Sequence, residues 1–319
     1  MNSRWMHYRL GACLLEESPA PAPEVRATPG GLPERVDLRA HCSPVEDQGR
    51  VGSCAANAVV GAMEYHQLRK GESVTDLSRL YVYYNARALA GRENEDCGTF
   101  IHHVMAAVLA HGACPESMWP YIEAMWPMRP AEPCFQAAMG FEAVQYARTP
   151  LGPDCKSVLA AGLPVVFGAS LPEAWMRSAG DQENRLRTPD GDWPAPGGGH
   201  AMLIVGYDDL MGSWIIRNSW GADWGDGGYA YVDYEVMQSY SHPFAFWTIG
   251  AVESQPGLVL TGMPAQEARA NHAATAARDV GAALSALKQD VRSGLEQDLD
   301  AKRRGIRERL RGPGAGGGY

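Results

Sequence analysis

Between Ser53 and Leu68 the apolar residues Ala55, Ala58, Val59, Ala62, Met63 and Tyr65 recur three and four positions apart, which predicts a buried helix closed by Gly71. Two further helices are expected, from Leu77 to Leu89 and from Ile101 to His111, the second carrying Val104, Met105 and Val108 on one side. After Leu163 the period changes. Val165-Val166-Phe167, Met202 to Val205, Trp214-Ile215-Ile216 and Tyr229 to Val232 are short runs set apart by Gly, Asp and Asn, and they predict strands. A helical half followed by a strand half is the α+β pattern, with a cleft expected where the halves meet.

The two ends of the chain break this pattern. Residues 1–31 hold Ser18-Pro19-Ala20-Pro21-Ala22-Pro23 and end at Pro29-Gly30-Gly31, which favours extended chain and reads as a leader with a linker. Residues 32–255 form the expected globular body. In residues 256–319, Val280, Leu284, Leu287, Val291, Leu295 and Leu299 step by three or four, as in an amphipathic helix or a short coiled-coil seam. A basic stretch from Lys302 to Arg311 and a Gly-rich tail follow, and no internal repeat is evident.

Composition narrows the classes. With 45% hydrophobic and 20% charged residues over 319 positions, the chain is expected to be a soluble body with appendages. A net charge of -9 gives no reason to expect nucleic-acid binding. The N-terminal apolar run, Leu10 to Leu15, is shorter than a signal-peptide core, and 18 uninterrupted apolar residues occur nowhere, so no membrane span is expected. A cytoplasmic location is the default, with non-classical export left open. Seven cysteines are an odd number, so at least one thiol stays outside any intramolecular disulfide, and reduced thiols are the default without an export signal.

Three segments carry candidate chemistry. In Gln48-Gly49-Arg50-Val51-Gly52-Ser53-Cys54-Ala55, a glycine-containing loop delivers Cys54 to the start of a predicted helix, where free N–H groups and the helix dipole favour a thiolate. Alone, such a cysteine is more often a small core residue. In Gly197-Gly198-Gly199-His200-Ala201-Met202, glycines lead His200 into an apolar strand. In Arg217-Asn218-Ser219-Trp220-Gly221, the Asn218 side-chain oxygen is suited to accept an imidazole N–H and fix its tautomer.

In this order, Gln-Gly-x-x-Gly-Ser-Cys, Gly-His-Ala and Asn-Ser-Trp-Gly resemble the papain family of cysteine peptidases, over about Leu32 to Val252. His200 lies 146 and Asn218 164 residues after Cys54, close to the interval of roughly 130 to 150 known for papain and the cathepsins. The resemblance implies a papain-like fold, a helical left domain and an antiparallel β-barrel-like right domain with the active-site cleft between them. It implies Cys54 as nucleophile, His200 as base and acid, Asn218 orienting His200 beneath Trp220, and Gln48 donating to the oxyanion with the Cys54 N–H. It also implies Gly98 bordering the substrate backbone, and Val166 and Gly199 contributing to a pocket of apolar preference.

Where familiar members carry a disulfide-bonded cysteine and a large aromatic, this chain has Val51 and Ala55, so one common family disulfide is absent. Asp96-Cys97-Gly98-Thr99, Gly112 to Glu116 and Trp119-Pro120-Tyr121 are similar instead to the bacterial branch typified by xylellain. Cys97 and Cys114 either bond across the predicted helix or remain two buried thiols. His102, His103 and His111 lack zinc spacing, and Asp208, Asp209, Asp223 and Asp226 read as turn formers, so neither a metal nor any cofactor is expected.

The expected function is a cysteine endopeptidase acting on peptide or protein substrates through a thiolate–imidazolium pair and an acyl-enzyme thioester, with residues 1–31 as a short inhibitory leader. The alternative is a catalytically silent peptide-binding module on the same fold. The C-terminal helix is expected to serve self-association or a protein partner.

Overall fold

The computed structural model describes residues 7–13, 22–27, 30–71, 73–141, 146–178, 184–186, 193–249 and 258–261. The chain divides into two units, Met1–Ala273 and Ala274–Tyr319, and every described residue belongs to the first. The predicted C-terminal helix and basic tail lie outside the described residues.

The helical half is built on α1 (Cys54–Arg69), α2 (Arg79–Ala88) and α3 (Ile101–His111). Every residue from Cys54 to Tyr65 is buried, so the first three turns of α1 have no solvent face, and only the last turn, up to Arg69, reaches the surface. Small residues allow this. Gly61 lies where a side chain would meet the guanidinium of Arg217, which is itself buried against Ser43 and the Pro44 carbonyl. The helix ends at Lys70, and Gly71 follows with φ of 74°. Ser78 caps α2 by accepting from the Tyr81 N–H at 3.1 Å. Among the described residues four shorter α-helices follow: α4 (Glu132–Ala138), α5 (Pro153–Ala160), α6 (Glu173–Ser178) and α7 (Tyr234–Tyr240).

The strands are β1 (Ala12–Cys13), β2 (Glu24–Ala27), β3 (Arg35–Asp37), β4 (Thr99–Phe100), β5 (Tyr146–Arg148), β6 (Val165–Ala169), β7 (Arg185–Leu186), β8 (His200–Asp208), β9 (Ser213–Arg217), β10 (Tyr229–Asp233), β11 (Trp247–Ile249) and β12 (Leu258–Thr261). β1 pairs only with β4, in parallel. The others form one open, mainly antiparallel sheet in the order β12-β2-β5-β11-β6-β8-β9-β10-β7, with β3 added to β8. β8 is buried at all nine positions because it lies between two cores. Ala201, Leu203 and Val205 face the helices, and Met202, Ile204 and Tyr207 pack with Phe167, Ile216 and Trp224 on the other side.

One expectation changes here, and one open choice is decided. The segment after the Pro/Ala stretch is not free linker, since Glu24–Ala27 enters the sheet between β12 and β5 with Val25 fully buried. Cys97 and Cys114 do not face each other: all seven cysteines are free, Cys114 neighbours Cys134 in the core, and Cys97 neighbours Cys13.

Candidate active site

Cys54 is the first residue of α1, and Ser53 at the cap position turns its hydroxyl to Tyr121 (2.6 Å) and Asn57 instead of to the helix. The first-turn N–H groups therefore remain available to the thiol, and the Ala55 N–H is directed at the sulfur. The N–H of Ala201 also reaches this sulfur, which sets the thiol beside His200, the first residue of β8. His200 Nε2–H donates to Asn218 Oδ1 at 2.8 Å, an oxygen that also accepts from the Ser219 N–H at 2.8 Å. That bond fixes the proton on Nε2. Nδ1 is buried with no hydrogen-bond partner, which leaves it as the ring nitrogen able to accept a proton. The Trp220 ring lies 5.3 Å from the imidazole and is 1% exposed, so it keeps water from the His200–Asn218 bond.

The two loops that carry Gln48 and Asn218 are zipped together. The Gln48 N–H donates to the Ser219 carbonyl and the Gly221 N–H to that of Glu46, both at 2.9 Å. The Ser219 hydroxyl donates to Gln48 Oε1 at 2.6 Å, which orients the amide so that Nε2 faces the cleft. Ser219, next to Asn218, was not singled out from sequence, although it orients Gln48. Tyr121 was also missed; its hydroxyl donates to the Gln48 carbonyl at 2.9 Å and links this loop to the Arg79–Glu116 ion pair.

The cleft is occupied by the chain's own residues 8–13. Tyr8 stacks on Trp220 at 4.8 Å, and its hydroxyl donates to Asp47 (2.9 Å) and to the Trp220 carbonyl. Gln48 Nε2 donates to the Arg9 carbonyl at 3.0 Å. Leu10 lies against Gly198, where an added Cβ would come within 3.1 Å. The Gly11 N–H is directed at the Cys54 sulfur, and its carbonyl accepts from the Thr99 N–H at 3.0 Å. The Ala12 N–H donates to the Gly199 carbonyl at 3.0 Å.

Of the residues singled out from sequence, Cys54, His200, Asn218, Gln48, Gly98, Gly199 and Trp220 converge here. Val166 does not join them. It is fully buried within β6, opposite Leu203 and Trp247, and packs in the helix-facing core.

Burial shifts both groups of the pair. It pushes the Cys54 thiol up to about 11, against the opposing backbone N–H groups of Ala201, Gly11 and Ala55. It holds His200 down to about 4, opposed by the Asn218 hydrogen bond. Both shifts favour the neutral thiol and the neutral imidazole. Among the described residues no cluster of three or more His, Cys, Asp or Glu is placed to hold a metal.

A profile of the papain family cysteine proteases matches residues 32–242. The chain belongs to that family. Xylellain, a cysteine protease from Xylella fastidiosa, superposes with a TM-score of 0.66 at 32% identity, covering 77% of this chain and 96% of that one. An uncharacterised peptidase C1-like protein of Acanthamoeba polyphaga mimivirus is 30% identical over 216 residues, 65% of this chain and 69% of its own length. Cathepsin K of Gallus gallus is 30% identical over 219 residues, 65% of this chain and 60% of its own length. As a member of this family the chain is a cysteine endopeptidase whose substrates are peptides or proteins. Among the described residues no helix is long and apolar enough to cross a membrane.

Proposed function

We propose that this peptidase cleaves through a Cys54 thiolate and His200 imidazolium, and that residues 8–13 hold it latent until they leave the cleft. In the open site, Cys54 attacks the scissile carbonyl, Gln48 Nε2 and the Cys54 N–H receive the developing oxyanion, and His200 passes its proton to the departing amine. Water then hydrolyses the thioester, with His200 as base. The observation that carries the latent state is the hydrogen bond from Gln48 Nε2 to the Arg9 carbonyl. The oxyanion donor is spent on the Arg9 carbonyl, two residues from the Gly11 N–H that faces the sulfur, and the Gly11 carbonyl itself is turned to the Thr99 N–H.

Water leaves the site when the leader covers it, and both charged forms lose solvation. Opening the cleft restores that solvation, lowers the thiol pKa, raises that of the imidazole and permits the ion pair. The test is amide hydrolysis and labelling by an epoxide thiol reagent, with the intact chain, a chain lacking residues 1–13 and Cys54→Ala. Truncation to residue 13 is preferable to a cut at 31, because β2 belongs to the sheet. Activity that rises on truncation and disappears in Cys54→Ala is expected; equal activity of the intact and shortened chains would refute latency. Folded protein without turnover or labelling in any form would favour a silent peptide-binding module.

A further inference from the structure

Asp96 is a mostly buried carboxylate at the cleft edge with one oxygen committed and the other open. Its Oδ1 accepts from the Gly52 N–H at 3.0 Å and from the Tyr83 hydroxyl at 2.6 Å. The same hydroxyl accepts from the Gly98 N–H at 3.1 Å. Arg87 lies over the Tyr83 ring at 4.0 Å and donates to the carbonyls of Glu93 and Glu95, so the turn that presents Asp96 is tied down from below. Oδ2 faces the cleft, and the Arg9 guanidinium of the leader sits on it at 2.8 Å. The acidic side chain is 12% exposed, whereas its basic partner is 52% exposed. The carboxylate is therefore built into the wall, and the cation comes from outside.

The position of this carboxylate relative to the nucleophile decides what it would read. Gly11 lies over the Cys54 sulfur, and a Cβ on it would come within 2.4 Å of the Gly52 carbonyl oxygen. A Cβ on Gly98 would in turn strike the Gly11 carbonyl. Chain that passes the sulfur thus runs between Gly52 and Gly98, and Asp96 holds Gly52 directly and Gly98 through Tyr83. Oδ2 thus lies on the wall of the gap through which chain crosses the sulfur.

Building on the peptidase reading, we propose that Asp96 forms a subsite for the arginine or lysine side chain of the substrate residue that supplies the scissile carbonyl. In the closed chain Arg9 fills that subsite, approaching from two residues along the leader. A single open oxygen suits either cation, since it accepts one charge-assisted hydrogen bond and does not require a bidentate fork.

The experiment uses the full chain with Gly11→Val, which displaces the leader, in Asp96 and Asp96→Asn forms. Asparagine keeps the shape and can still accept from Gly52 and Tyr83 through its side-chain oxygen. The substrates are peptide amides identical except for arginine, lysine or the neutral isostere citrulline at the carbonyl-supplying residue. The kcat/KM ratio of arginine to citrulline is expected to be at least about tenfold with Asp96 and to fall towards one with Asp96→Asn, as a lost charge-assisted hydrogen bond requires. Equal ratios in the two forms overturn the proposal. If no substrate is turned over, the peptidase reading fails separately, and calorimetric binding of the same peptides to the Gly11→Val, Cys54→Ala chain decides the subsite. An arginine preference that Asp96→Asn abolishes upholds it, and equal affinities overturn it.

Discussion

Replacing Gly11 by alanine or valine is the most direct perturbation of the closed state, because the clash falls on backbone. The nearest atoms to the new Cβ are the Gly52 carbonyl oxygen, Cα and carbonyl carbon at 2.4, 2.5 and 2.7 Å. Gly52 cannot retreat easily. It adjoins the Ser53-Cys54 helix start, its N–H is held by Asp96, and its own Cβ direction already meets Asp96, Gly98 and Tyr83 at 3.1 to 3.2 Å. The leader must therefore move. Overpacking of this kind costs about 1–3 kcal/mol, and each 1.4 kcal/mol is a factor of ten, so the open fraction is expected to rise by about 5- to 150-fold. Loss of the half-exposed Arg9 guanidinium in Arg9→Ala should do much less, because an ion pair of that exposure contributes roughly 0–1 kcal/mol. The assay is the second-order rate of thiol labelling by a peptidyl epoxide on full-length chains, with thermal melting as the control for folding. A folded Gly11→Val chain labelled no faster than wild type would refute the placement of Gly11 over the thiol.

Three other outcomes follow from the site and its surroundings. In a Gly11→Val background, where the Arg9 contact no longer competes, Gln48→Ala should lower kcat by about 10²- to 10³-fold with a smaller effect on KM, measured by steady-state amide hydrolysis. In the closed chain the pair's single proton sits on Cys54, whose thiol is pushed up to about 11, and in the open ion pair the same proton sits on His200, so opening exchanges no net proton. Labelling corrected for the reagent's own pH dependence is therefore expected to change little between about pH 6.5 and 5, and a steep rise there would show that the open pair is not a thiolate and an imidazolium. Burial pushes Glu116 up to about 7 from 4.5, so the stability it contributes is present below pH 4.5 and lost as the pH rises through 7. Glu116→Gln should flatten the fall in melting temperature across that interval, and an unchanged profile would show that Arg79 keeps the carboxyl ionised.

The residues proposed to perform the chemistry were legible because the reaction restricts their type and the chain marks them with glycine. Cys54 needs a helix start, His200 a strand edge, and Asn218 a side-chain oxygen, and each lies in a short segment readable on its own. The long helices α1 and α3 were legible for a similar reason, since Ile101–His111 carries its apolar spacing within its own eleven residues. Elements that depend on distant partners were not. β2 is a strand because β12 and β5 flank it, and the Pro/Ala run before it pointed to linker. Val166 shows how period-two structure defeats a local reading, because the choice of face is settled by α1 packing on β6 and β8, not by the run Val165-Val166-Phe167.

The leader shows the limit most clearly, and also why a sequence search for helical propeptides would pass over it. Its hold on the cleft rests on shape at one point, Gly11 passing between Gly52 and Gly98, with Leu10 against Gly198 and the Gly199 carbonyl receiving the Ala12 N–H. Each of these glycines has its own ordinary explanation in a turn or loop, and none announces a partner some 40 to 190 positions away. What makes them a device is that small residues meet on both sides of the same narrow gap above the thiol. Under the proposed latency, the six residues 8–13 come close enough to exclude water from Cys54 and His200, and their effect is electrostatic: they replace the solvent that the ion pair requires.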